Sequence, residues 1–313
     1  MKKLYFSVLL ILAYISLFSQ ITLNNNNFPY PGMNFSRAYA GADTIGPAGA
    51  NKYYDFSNAF IILNDSIVYI DVTSTPFYNE HPNSEMAIFI DDGNGQQRYY
   101  YYQKDANAFW ENGFTLIADL GTGIDTFQSV YTTPNVDTIV SNQYTFGHTE
   151  TEHTMGTIWA NLVVNVDLHK TKHIEVDAWG SMDTPFNHFD DVIRVKYEDY
   201  RADSIFILGT FNSVNTDTLF YYHYYAKDIP YPVIIAHTDS LGVMQYIEMI
   251  QVVPTVLGCT DPSAINYSPM ANTDDGSCVY CNSISFTTSS DESILRDVNF
   301  NVRNSKKSRK RIS

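Results

Sequence analysis

From about Tyr53 to Val253 the chain alternates apolar and polar residues in short runs, among them SIVYIDV, EMAIFI, RYYYYQ, IEVDAW, VIRVKY, TLFYYHYY and VMQYIEMIQV. Side chains two apart share a face of a strand, so each run predicts a strand with one apolar face. Turn-forming clusters separate the runs at Asp91–Gly95, Gly121–Gly123 and Asn215–Thr218. Short strands at intervals of roughly 8–15 residues, broken by such turns, predict an antiparallel all-β domain. A single helical turn fits at Tyr78–Asn83 or Asp105–Phe109, and no long helix is expected in this region.

The clearest hairpin runs from Ile174 to Tyr197. Ile174, Val176 and Ala178 fall on one face of its first arm, with Glu175, Asp177 and Trp179 on the other. In the second arm Ile193, Val195 and Tyr197 alternate with Arg194, Lys196 and Glu198. Between them DTPFNHFDD supplies Pro185 and several Asp and Asn residues for a turn. A lone hairpin is only marginally stable, so it needs a larger sheet around it.

The run DAWGSMDTPFNHFDDVIRVK resembles a segment of an uncharacterised, secreted, type IX secretion-associated Bacteroidetes protein family. So do GPAGANKYYDFSNAF and YYHYYAKDIPYPVIIA, and together the three cover about residues 24 to 245. The family carries Trp where Tyr54 stands here. The resemblance implies export and an all-β architecture more than an activity. The R-V-K strand, the aromatic strand and the Y-P-V strand also resemble LolA-like half-barrel carriers. Two architectures are therefore expected: a curved half-barrel, slightly favoured, or a β-sandwich.

Met1–Gln20 has two lysines, an apolar run and a small-residue exit, the pattern of a secretory signal peptide. The run is short for a membrane anchor. Residues 21–52, rich in Asn, Gly, Pro and Ala, read as an extended lead-in. Residues 53–254 form the predicted β domain, 258–281 a separate small module, and 282–313 a basic tail outside any fold or a truncated end.

Charge sharpens the picture. Of 19 basic and 34 acidic side chains, eight basic ones lie in the first 20 and last 13 residues, so the body is far more acidic than the formal net of −15. Such a surface repels phosphate backbones, and nucleic acid is not an expected partner. An apolar content of 44% is enough for a core.

Residues 258–278, GCTDPSAINYSPMANTDDGSC, closely resemble a short repeat of secreted Bacteroidetes proteins. In the oxidising setting of an exported chain, Cys259 and Cys278 are expected to pair and hold a loop too small to build a core. Asp261, Asn266, Asn272, Asp274 and Asp275 place hard oxygens in this loop, a set suited to calcium, with Gly276 at hand for a sharp turn. The same residue types also make turns by bonding their own backbone. Cys281 is left over. The resemblance implies further repeats or a sorting domain beyond, which residues 282–313 do not resemble.

Several constellations bear on chemistry. His148, Glu150 and Glu152 would share one strand face, with His153 opposite, as a metal or acid–base set or as a solvated face. His169 and His173 read as flanking a turn between strands. Asp190, Asp191, Glu198 and Asp199 offer carboxylate pairs. The tyrosine runs 99–102 and 221–225 could stack on a ligand, or split between core and surface. Zinc-protease, nucleophile-elbow, P-loop and dinucleotide fingerprints are absent from the sequence. The expected function is a non-enzymatic secreted or cell-surface binding or adhesion protein. A half-barrel carrier of a lipid or other apolar ligand is the alternative, and a secreted hydrolase the third reading.

Overall fold

The computed structural model describes residues 21–42, 44–91, 95–119, 123–131, 136–160, 164–252, 257–268, 273–274 and 276–280. These form two compact units divided at Val252/Val253. The first contains β1 (Asn34–Gly41), β2 (Gly49–Asp55), β3 (Phe60–Asp71), β4 (Met86–Asp91), β5 (Gln97–Lys104), β6 (Ala108–Asp119), β7 (Ile124–Tyr131), β8 (Asp137–Ser141), β9 (Thr149–Ala160), β10 (Val164–Asp183), β11 (His188–Ile207), β12 (Thr210–Ala226), β13 (Ile234–Thr238) and β14 (Met244–Gln251). Helix among the described residues is confined to two three-residue 3-10 turns, Asn25–Asn27 and Val72–Ser74. Neither lies where a helical turn is expected; the Asp105 site is instead a turn in which the Asp105 carboxylate accepts from the backbone of Asn107 and Ala108.

The sheet is all-β and antiparallel, and it closes. Its order β11-β12-β13-β14-β1-β3-β4-β5-β6-β7-β9-β10 returns through a β10–β11 pairing, which makes a 12-strand barrel. Neither a half-barrel nor two stacked sheets results, because the long β10–β11 hairpin pairs on both of its edges. It runs well past the limits expected from Ile174 and Tyr197, and its register sets Ile174 opposite Tyr197. β8 pairs with part of β6, and β2 lies parallel to the end of β10. The lead-in at 21–52 is not merely extended, since it supplies β1, a stave of the ring.

A bulge in β10 redirects several side chains. The register slips between Val176 and Ala178, so Asp177 is an extra residue and the faces exchange beyond it. Val176 therefore joins the luminal core with Ile174, Val195 and Tyr197, while Ala178 joins a second core with Met182, Tyr222 and Tyr224. This corrects the single apolar face read from Ile174, Val176 and Ala178. Asp177 and Arg194, expected on a wet face, are drawn into the second core.

Arg194 is 2% exposed there. Its Nε and one terminal nitrogen donate to Asp177 at 2.8 and 2.7 Å, and the other donates to the carbonyls of Ile45 and Gly46 at 2.9 and 3.0 Å. The rings of Tyr54, Tyr222 and Tyr224 surround it at 5.5, 5.1 and 5.9 Å. Gly180 completes the region, because a Cβ there would sit 1.7 Å from the Lys52 carbonyl oxygen where β2 crosses.

One end of the barrel is plugged. Leu23 and Phe28 enter the luminal core beside Tyr69, Phe109, Tyr144 and Tyr225. Asn27 fixes this plug by donating to the carbonyls of Ala226 and Ile229, both at 3.0 Å.

The second unit holds the two-residue strands β15 (Leu257–Gly258) and β16 (Thr273–Asp274), which pair in parallel, and the disulfide Cys259–Cys278.

Candidate functional site

The luminal face of β10 reads Leu168, Lys170, Lys172, Ile174. Burial alternates along it, and His169 and His173 point outward. Two lysines on an otherwise apolar interior face need counter-charges, and neighbouring strands provide them. Asp137 on β8 contacts both ammonium groups. Lys170 also pairs with Asp199 of β11 at 2.9 Å, and Asp199 lies 3.6 Å from Arg201. Lys172, 1% exposed, donates to the Thr138 carbonyl at 2.6 Å and lies 3.9 Å from Glu152.

These pairings set the proton affinities. Burial alone would raise Asp137, but the two lysines hold it well below the usual carboxylate range. Burial works against the Lys170 cation, yet Asp137 and Asp199 keep its affinity above normal. Glu111 on β6 is compensated too little: burial, then the nearby Asp137 charge, push it up to about 8 against the opposing pull of Lys170, Lys172 and Arg201. Burial likewise raises Asp203 and Glu152.

Above this lattice lies a pocket of about 300 Å³. Charged groups from Arg98, Glu111, Lys170, Arg201 and Asp203 line it, with Tyr100, Phe114 and Tyr131 as its aromatic wall. Arg201 Nε and Asp203 Oδ1 are buried and lack a hydrogen-bond partner among the described residues. A separate apolar pocket of about 170 Å³ lies in the plugged half, between Tyr69, Phe109, Tyr225 and Tyr231.

The structure brings some of the expected constellations together and separates others. His148 and Glu150 share a face and lie 3.4 Å apart, and Glu152 joins the same interior row. His153 is opposite, 3.2 Å from Thr171 Oγ1. No turn separates His169 from His173; both sit on one unbroken strand, β10. The acidic pairs diverge: Asp190 is exposed beside His188, while Asp199 is buried in the lumen. In the tyrosine run 221–225 the rings divide between two cores rather than between core and surface, with Tyr221 and Tyr225 at one and Tyr222 and Tyr224 at the other.

Asp137, Lys170, Lys172 and Arg201 were not among the expected site residues. The signal was present in LHKTKHIEV, where two lysines at spacing two interrupt an apolar face.

In the small unit the oxygens considered for calcium are engaged in the loop itself. Asp261 accepts from Ser263 N at 2.8 Å and from the Tyr280 hydroxyl at 2.6 Å. Asn266 donates to the Ser277 carbonyl and accepts from Val279 N. Asp274 accepts from Gly276 N at 3.2 Å. Asn272, Asp275 and Cys281 lie outside the described residues. No group of three or more His, Cys, Asp or Glu residues suited to a metal occurs among the described ones.

Fold and lumen thus define a closed antiparallel barrel with a charged interior. No protein-family model and no solved structure matches the chain. A stretch of 28 residues is 68% identical to ribulose bisphosphate carboxylase/oxygenase activase 1, chloroplastic, of Larrea tridentata. That stretch is 9% of this chain and 6% of the activase.

Proposed function

We propose that this chain is an exported, non-enzymatic binding protein that takes a small charged organic ligand into the barrel lumen. The observation that carries this reading is the pocket above the Lys170–Asp137–Lys172 lattice. A purely structural ion network closes on itself, because unpaired buried polar atoms are costly. Here Arg201 Nε and Asp203 Oδ1 are left over and line the pocket, and a neutral Glu111 adds a donor. A few convergent polar groups against aromatic walls, in a pocket of this size, are what small-ligand sites are made of. Binding is favoured over catalysis because the strongest charges are already spent on one another.

A carrier of long apolar chains has less support, since the apolar pocket is smaller and lies in the plugged half. Export is supported by the signal-peptide pattern of Met1–Gln20 and by the disulfide, a bond that persists in oxidising compartments.

Native mass spectrometry of protein recovered after export tests the reading. The expected result is a stoichiometric small-molecule adduct that disappears in Leu116→Trp, which fills the pocket. An adduct-free wild type, together with no thermal shift across a panel of amino acids, sugar acids and phosphate esters, would refute it.

A further inference from the structure

The apolar pocket of the plugged half is built from luminal rings of separate strands. Tyr69 of β3 meets Tyr102 of β5, Phe109 of β6 and Tyr231 edge to face, with ring centres 5.9, 6.2 and 6.4 Å apart. Tyr102 and Phe109 stack at 5.1 Å. Tyr231 comes from the β12–β13 connection, where Pro230 and Pro232 flank it. The enclosed volume is about 170 Å³, and among the described residues no Asp, Glu, Lys or Arg lines it.

One polar group in this wall is left without a partner. His223 lines the pocket and is 9% exposed. Its Nδ1 lies 3.0 Å from the Tyr225 hydroxyl, which is itself 3.3 Å from the Ile139 carbonyl oxygen. Its Nε2 has no hydrogen-bond partner among the described residues. Burial, then the neighbouring His237 and Lys172, hold the proton affinity of the ring well below the ordinary histidine range, so the imidazole is neutral near pH 7. A neutral imidazole with Nδ1 engaged keeps one N–H or one lone pair at Nε2. Such a group costs free energy while it stays unmet inside the barrel.

We propose that this pocket binds one neutral phenol, a single aromatic ring whose hydroxyl meets His223 Nε2. Size sets the first limit. A cavity of about 150 Å³ takes one benzene molecule. A volume of about 170 Å³ therefore admits one ring with a small substituent, not a second ring or a long chain. The wall sets the second, because it offers both ring faces and ring edges to a flat π system. An ionised guest would find no counter-charge in the lining. A hydroxyl both donates and accepts, so it satisfies Nε2 in either tautomer. The site is separate from the charged pocket and stands whether or not that pocket holds a ligand.

Titration of the exported full chain with phenol, read by calorimetry and by the imidazole ¹⁵N resonances, tests the proposal. Wild type is expected to bind one phenol with a Kd below about 1 mM. Binding should move the His223 resonances, identified by their loss in His223→Phe. Toluene, with the ring but not the hydroxyl, should bind at least about fivefold more weakly. In His223→Phe the preference for phenol should vanish while toluene still binds, a pattern that misfolding would not give. Ile235→Trp, which fills the pocket, should abolish binding of both. Phenol that binds without moving His223, toluene that binds wild type as tightly as phenol, or binding retained in Ile235→Trp overturns the inference. So does a folded wild type with no saturable phenol binding, since the cavity would then belong to water.

Discussion

Replacing Arg194 by Met isolates the node that ties three distant segments together. The guanidinium is nearly inaccessible, and its bidentate partner Asp177 has a side chain only 10% exposed. Methionine leaves that carboxylate buried and unpaired, and removes both donors to Ile45 and Gly46. Breaking a buried pair from one side costs about 3–5 kcal/mol. For a unit of this size that is a fall of about 10 °C in melting temperature. Removing both charges, in Arg194→Met/Asp177→Asn, should recover more than half of the loss, because the stranded charge is gone. Thermal and urea unfolding would read the stability. Limited proteolysis should show earlier cleavage at residues 42–48 in the single variant, since Arg194 holds that segment. A single variant within about 1 kcal/mol of wild type, or a double variant no more stable than the single, would rule out this role for the ion pair.

Glu111 gives a pH test with a definite sign. Its folded affinity of about 8 lies above its ordinary value of 4.5, so the folded chain binds the extra proton between those values and loses stability as pH rises through them. Glu111→Gln should match wild type near pH 4 and exceed it by at most about 5 kcal/mol near pH 8.5; a constant difference across that range would contradict the assignment. Reducing Cys259–Cys278 should remove about 3 kcal/mol from the small unit by the loop-entropy estimate. Hydrogen exchange at the Ser268 and Val279 amides should quicken accordingly, and unchanged exchange would count against the staple. Calcium should leave those same amides unaffected in the oxidised protein, whereas slowing would show that Asp261 and Asp274 exchange their loop bonds for an ion.

Period-two alternation made the strands and the β10–β11 hairpin legible, because burial on one face leaves a direct trace in composition. Closure of the ring was not legible, since it depends on which edges meet after the strands have curved. The bulge at Asp177 was also hidden: one extra residue exchanges the faces, and nothing local to EVDAWG announces it. Hence Arg194 read as a solvent-facing charge. Its partners Gly46, Tyr54, Asp177 and Tyr224 lie in the three stretches that carry the family resemblance, so the resemblance traces a packing node rather than the pocket. The lumen was half legible. Lys170 and Lys172 break an apolar face visibly, but Asp137 comes from β8, a short strand with no strong pattern.

Ligand entry requires a lumen open at one end and plugged at the other. Cysteine accessibility measures this directly, with Leu116→Cys in the pocket wall and Val176→Cys in the luminal core of the plugged half, each in a chain with Cys281→Ser and the disulfide intact. A small charged methanethiosulfonate should label the Leu116→Cys protein within about tenfold of the rate for an exposed thiol, and should leave the folded Val176→Cys protein unlabelled. Equal protection of both positions would contradict an open lumen, and equal labelling would contradict the plug.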